Sequence, residues 1–317
     1  MIKKGFFSNF IFIFLIILMM FLVSCSQSAD PTLDVAHGTQ GIELTLHDVK
    51  NTASFIKGEK LNFMLEVKNL GTNDVPGGFI VVWGYDPNAI FFKDSSGSST
   101  ILDLPLLEGV KPYMPEGDSQ FIEIQEEKTL NVPYGSSYNT NLLFSTCYDY
   151  QTTAVVPVCV ITDMDEYISG SSTCELISQT LSSQGAPVAV TYVEPRMSEE
   201  EIQFLIEVKN VGDGDVILEG AATDKSICPV GIDMTNSNEL EVSAHISGLG
   251  YGVCKNDGNI KLSNGKGVAL CSFKKGTKKS SYTTELEIIL LYGYSSSLDV
   301  PIEIIDPFYS GEDTYLE

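Results

Sequence analysis

The chain has 317 residues and a formal net charge of −23, from 19 basic against 42 acidic side chains. That balance excludes nucleic acid as a partner, because phosphate binding demands a basic surface, and it favours solubility while repelling like-charged surfaces. With the first 25 residues set aside, the length suits two domains of ordinary size.

Lys3 and Lys4 open the chain, and Phe10 to Val23 is an unbroken apolar run of fourteen residues. A run of that length fits the apolar region of a signal peptide and falls short of the roughly 18 residues expected of a spanning helix. Leu22-Val23-Ser24-Cys25 resembles the lipobox of bacterial-type lipoproteins, a pattern also met in archaea. The resemblance implies that Cys25 becomes the lipidated first residue and anchors the chain to the outer face of a membrane. Plain secretion, or a retained helix reaching back to Gly5, is the alternative. Residues 26–40 then read as a flexible tether of roughly 50 Å when extended. Six cysteines remain beyond Cys25, namely Cys147, Cys159, Cys174, Cys228, Cys254 and Cys271, enough for three bridges in an oxidising exterior.

Beyond residue 40 the pattern has a period of two. In chain order, strands are predicted at Ile42–Val49, around 62–69, Phe79–Tyr85, Ile90–Phe92, Phe121–Gln125, Thr129–Val132 and in the block 136–161. A second series follows at Val188–Glu194, 203–209, Val216–Ala222, Leu240–Ile246, Asn259–Leu262, Gly267–Phe273 and 280–305. Helical periodicity is confined to a possible short turn near Glu175–Leu181.

The two series are copies. NFMLEVKNLGTNDV (62–75) and QFLIEVKNVGDGDV (203–216) share eight of fourteen residues at an offset of 141. The blocks 136–161 and 280–305 share ten of 26 at an offset of 144, among them Tyr148/Tyr292 and Tyr150/Tyr294. Two matched blocks in one order mean a duplicated unit. The Asn-x-Gly that ends each first block is read as a turn whose glycine takes positive φ. Tyr292 to Ser297 is read as the connection of a hairpin. Short strands broken by Gly, Pro, Asn and Asp predict an all-β chain of two tandem Ig-like antiparallel sandwiches, at 41–165 and 186–306. A linker at 166–185 joins them and an acidic tail occupies 307–317. Trp83 falls where an immunoglobulin-type sandwich buries one, and Tyr138 and Tyr282 stand like the tyrosine of a tyrosine corner.

The VKN-x-G strand and turn resemble those of CARDB-type and related Ig-like repeats of archaeal and bacterial surface proteins. CYDYQTTAVVPVC (147–159), SQGAPVAVTYVE (183–194) and LLYGYSSS (290–297) are similar to blocks found in the same order in exported proteins of small-genome archaea. The resemblance spans most of the chain after the leader. It implies an Ig-like fold and a surface location, and it brings no catalytic residues.

In the predicted hairpin of the first copy, Cys147 and Cys159 both face outward on adjacent strands, so a Cys147–Cys159 bridge is expected. Cys254–Cys271 and Cys174–Cys228 follow by elimination. Lys255, Lys261, Lys266, Lys274, Lys275, Lys278 and Lys279 concentrate the basic charge in one stretch. They read either as a patch for an anionic partner or, preferably, as guards of an exposed sheet edge. His37, His47 and His245 are scattered and no acidic turn matches a calcium loop, so neither a metal nor any other cofactor is expected. No hydrolase, zinc-protease or phosphate-loop motif occurs. The expected role is non-catalytic: a structural or adhesive envelope protein that meets the membrane through its anchor and another envelope protein or polymer through its surface. A carbohydrate-binding or glycan-acting protein, or an accessory subunit of an export or pilus assembly, is the alternative.

Overall fold

A computed structural model describes residues 38–47, 53–92, 98–125, 127–220, 222–226, 228, 238–276 and 281–309. The leader with Cys25, the tether up to residue 37, Lys278, Lys279 and the tail beyond 309 lie outside them. In chain order the strands are β1 (Ile42–His47), β2 (Ala53–Ile56), β3 (Asn62–Asn69), β4 (Gly78–Trp83), β5 (Ser99–Leu104), β6 (Ser119–Gln125), β7 (Ser137–Ile161), β8 (Gln179–Thr180), β9 (Val188–Met197), β10 (Glu201–Asn210), β11 (Asp215–Ile217), β12 (Glu239–Ile246), β13 (Gly250–Tyr251), β14 (Val253–Cys254), β15 (Asn259–Lys261), β16 (Lys266–Lys274), β17 (Ser281–Ser295) and β18 (Ser297–Ile305). Among the described residues there is one α-helix, α1 (Met164–Ser169). Asp163 starts it by accepting from the Asp165 N–H, and Gly170 ends it in the left-handed region. The turn expected near 175–181 is not helical, since β8 lies there. No strand forms at Ile90–Phe92 or Thr129–Val132, and β2 and β5 are strands that the sequence pattern did not announce.

The period of two sorts the side chains into layers. In the first copy β1, β3 and β6 make a three-stranded antiparallel sheet. In the second, β9, β10 and β16 repeat that arrangement, extended at its edges by β8 and β14. The remaining strands join a ten-stranded sheet whose main path is β13-β12-β17-β7-β18-β2, with β4, β5, β11 and β15 alongside. The contact of β18 with β2 is parallel and the others are antiparallel.

The centre of this sheet corrects the sequence reading. β7 runs for 25 residues without a turn, and β17 and β18 form a matching line interrupted at Ser296. The register never breaks: Ser281 faces Ile161, Tyr294 faces Tyr148, Ser297 faces Ser145 and Ile305 faces Ser137. There is no hairpin at Tyr292–Ser297. Asp149 faces Gly293, its own equivalent in the repeat, so the two long strands cross about a local pseudo-two-fold at that pair. Two consequences follow for the pairing. β18, from the second copy, lies between β7 and β2 of the first, while the C-terminal half of β7 pairs with β17 of the second.

Both small sheets turn their apolar side chains onto the same face of the large one. Phe63, Leu65 and Val67 of β3 share one hydrophobic core with Leu142 and Phe144 of β7 and Ile302 and Ile304 of β18. Phe204, Ile206 and Val208 of β10 meet Val156 and Val158 of β7 and Leu286 and Ile288 of β17 in that same core. Each such side chain stabilises the fold by roughly 1.5–3 kcal/mol through burial. The stretch 166–185 is tied down as well. The Thr173 N–H donates to Ser281 Oγ at 2.6 Å, and Gly185 accepts from the Thr72 N–H at 2.8 Å.

Candidate functional site

Four tyrosines meet at the pseudo-two-fold. Tyr148 faces Tyr294 and Tyr150 faces Tyr292 across the β7–β17 pair, with ring centroids 6.1 and 6.0 Å apart. Each hydroxyl accepts a backbone N–H, and the partners repeat. Tyr148 accepts from Ile42 at 2.9 Å, and its equivalent Tyr292 accepts from Val188 at 3.3 Å. Tyr150 accepts from Asn73 at 3.2 Å, and Tyr294 from Gly214 at 2.8 Å. Ser296 donates to the Ile42 carbonyl at 2.8 Å, while Thr152, its equivalent, donates to the Val188 carbonyl at 2.7 Å. The tyrosine and the hydroxyl residue that hold each segment thus come from different copies. Burial pushes the phenols of Tyr148 and Tyr292 well up and raises Tyr150, and it moves Tyr294 to about 12. All four hydroxyls are engaged with backbone, and those of Tyr292 and Tyr294 also meet Thr152 Oγ1 and Asn210 Oδ1.

The VKN-x-G repeat finds its explanation here, and it differs from the one expected. Gly71 and Gly212 do not sit at positive φ. A methyl group built on Gly71 would overlap the Tyr150 hydroxyl, and one on Gly212 would stand 2.5 Å from the Tyr294 hydroxyl. The glycines make room for the tyrosines. The asparagines close the turn: Asn69 Nδ2 donates to the Asn73 carbonyl and Asn210 Nδ2 to the Gly214 carbonyl, both at 2.8 Å.

All six cysteines beyond the leader are paired, as Cys147–Cys228, Cys159–Cys174 and Cys254–Cys271. The first two correct the expected Cys147–Cys159 and Cys174–Cys228. Cys147 and Cys159 do both face outward, but on one continuous strand, where twelve residues span about 40 Å. Cys254 and Cys271 are direct cross-strand partners. Three disulfides suit an oxidising, extracytoplasmic compartment.

The described lysines of the predicted patch are spread over several elements. Lys266 and Lys274 mark opposite ends of β16, about 27 Å apart. Lys261 pairs with Glu239 at 3.3 Å, and Lys255 lies in a 3₁₀ turn before β15. Lys275 follows β16, and burial lowers its pKa against the pull of Glu199 and Asp163. β14 covers Cys271 and Ser272 of β16 and Ser263 bridges Lys266, so among the described residues most of the rest of that strand's second edge has no strand beside it. Asp163 and Asp165 belong to the start of α1, and Asp213 and Asp215 flank the turn whose Gly214 bonds Tyr294. A groove of about 140 Å³ beside that turn is lined by both polar and apolar side chains, among them Gln40, Ile42, Glu43, Leu44, Asp213 and Tyr294.

Opposite the core, the large sheet keeps an outward face. A segment after β11 crosses it near the pseudo-two-fold, where Cys228 bonds Cys147, the Gly220 N–H donates to Asp149 Oδ1 at 2.8 Å and Lys225 lies over the Phe79 ring. Glu219 of that segment is pushed up by burial and by Glu241 and Asp149. Trp83 stands on this face and not in the core: Ile80 and Val82 of β4 point inward, and Trp83 is half-buried beside Val81 and Ile101. Its Nε1–H donates to Ser145 Oγ at 3.1 Å. Tyr138 is not a tyrosine corner, since its hydroxyl accepts from the Asp86 N–H, 52 residues upstream.

No family model matches the chain. No curated protein matches it. Among solved structures, the secreted serine protease VesC from Vibrio cholerae is similar at 10% identity with a TM-score of 0.20, over 84% of this chain and 52% of that one. The chain therefore spans about half of that protein's length, and a likeness this weak carries no argument about fold or activity.

Proposed function

We propose that the protein is a non-catalytic envelope lipoprotein, held at the outer face of a membrane through Cys25 and a tether over 26–40, with a structural or adhesive role. In this reading each half of the body is an Ig-like sandwich that borrows a strand of its large sheet from the other copy. The observation that carries the proposal is the joined sheet, pinned across the two copies by Cys147–Cys228. Such a body resists local opening and proteolysis, because its central strands are bonded on both sides and its loops are cross-linked. These properties suit an exposed building block.

The test joins metabolic labelling with a palmitate analogue to protease shaving of intact cells. The native chain should take up label and be cut from outside, and Cys25→Ala should lose the label and appear in the medium. Label retained by Cys25→Ala, or a chain protected in intact cells, would defeat the proposal.

A further inference from the structure

We propose that the outer edge of β1 is a docking edge for the chain's own residues 33–35, which add to it as a short antiparallel strand. The edge is open in one copy and filled in the other. The Leu70 N–H donates to the Gly41 carbonyl at 2.9 Å, and the β1–β3 pairing alternates from there, so Glu43, Thr45 and His47 bond β3. Ile42, Leu44 and Leu46 turn their N–H and C=O groups the other way. Ile42 is met there by Tyr148 and Ser296. Leu44 and Leu46 have no strand beside them among the described residues. Such a row of backbone groups is what folds usually cover. The groove of about 140 Å³ runs past Ile42 and Leu44.

In the second copy the matching edge belongs to β9. Val188 stands there where Ile42 does, held by Tyr292 and Thr152. The Gln184 side chain takes both backbone groups of Val190, at 2.8 and 3.1 Å. The Leu181 N–H donates to the Thr191 carbonyl at 3.0 Å, and Gln179 of β8 faces Val193. The segment that precedes this copy therefore folds back along the copy's first strand.

The first copy is preceded by Pro31-Thr32-Leu33-Asp34-Val35-Ala36. Val188 lies 146 residues after Ile42, and at that spacing Leu33 and Val35 answer to Gln179 and Leu181. β9 carries a bulge at Thr191 that β1 lacks, so Leu44 answers to Val190 and Leu46 to Val193. Leu33 accordingly faces Leu46, and Val35 faces Leu44. Residues directly opposite in an antiparallel pair share a face. Leu44 is in the core and Leu46 packs against it, as Leu181 does in its own copy. The alternation fits: the two apolar residues fall on the core side, and Thr32 and Asp34 on the wet side. Pro31 has no N–H to continue the ladder. The inference stands apart from the envelope reading and changes only the reach of the tether, whose free part becomes 26–32, about 25 Å when extended.

Amide hydrogen exchange, followed residue by residue by NMR on the full chain in detergent, tests the added strand. Leu44 and Leu46 should exchange about a hundredfold or more slower than unprotected amides. Combining Leu33→Pro with Val35→Pro removes both donors of the added strand. That variant should speed exchange at Leu44 and Leu46 about tenfold or more, while Leu65 and Val67, which bond β6, keep their protection. Unprotected amides at Leu44 and Leu46 in the native chain, or protection that survives both prolines, would overturn the strand. Protection that rises with protein concentration would overturn it too, by giving the edge to a second copy of the chain. Palmitate uptake and shaving decide the envelope reading whichever way the exchange falls.

Discussion

Gly71 and Tyr150 are one device written at two places in the chain, and Gly212 and Tyr294 are its second copy. The close approach gives the part-buried backbone N–H of each turn an acceptor, which is worth about 1 kcal/mol or somewhat more against leaving it unpaired. Gly71→Ala should cost about 1–3 kcal/mol through overpacking in urea denaturation. Tyr150→Phe should cost a similar amount through the orphaned Asn73 N–H. The double variant should fall well short of the sum, because removing the hydroxyl makes the space that the methyl needs. The same hydroxyls govern alkaline stability. A phenol whose pKa is raised on folding leaves stability intact below its unfolded value of about 10, and stability falls as pH rises from there toward the folded value. Phenolate absorbance of Tyr148, Tyr150, Tyr292 and Tyr294 should therefore appear together with loss of the β circular dichroism. Its growth in a chain that is still folded would contradict their burial.

At the scale of elements, the repeat and the strands were legible because both rest on local chemistry: a period of two and a spacing of identical residues. The long strands were misread for an equally physical reason. Tyr292 to Ser297 has the glycine and serines of a turn, yet Ser296 stays in line through its bonds to Ile42 and Thr146. The sequence does carry a signal for the continuous strands. Inward positions keep the same parity from Leu286 through Leu290, Tyr292 and Tyr294 to Val300 and Ile304, with no change of phase at the supposed turn. Cys254–Cys271 forms as expected, while the other two pairings were misread for a different reason: Cys147–Cys228 is set by the distant segment that crosses the sheet, and Cys159–Cys174 by how the chain folds back after β7, neither of which a strand pattern shows. Their loops set the expected costs. Cys147–Cys228 closes 81 residues and Cys159–Cys174 closes 15. Chain entropy gives about 4.5 and about 3 kcal/mol respectively. Double Cys→Ala variants should rank in that order in thermal unfolding, and a reversed order would show that Cys147–Cys228 does not bridge the halves under load. Trp83 was visible in the sequence, but its outward direction depended on the phase of β4 against the core, which its flanking residues alone do not decide.

At the scale of the molecule, duplication has produced one body in place of two beads. Each half contributes a strand to the sheet of the other, and at the crossing the starts of β1 and β9 are each held by a tyrosine of their own copy and by Ser296 or Thr152 of the other. On the proposed surface reading, a body built this way presents one outward face, fixed in shape. Strand exchange about Asp149 and Gly293 is the claim on which the rest depends, and Asn139 and Glu303 test it most directly, being facing residues of β7 and β18 from different copies. With both replaced by cysteine and the chain exported under oxidising conditions, non-reducing peptide mapping should find position 139 bridged to position 303. Two freely alkylated thiols at those positions, beside the three native bridges, would mean that the copies fold apart.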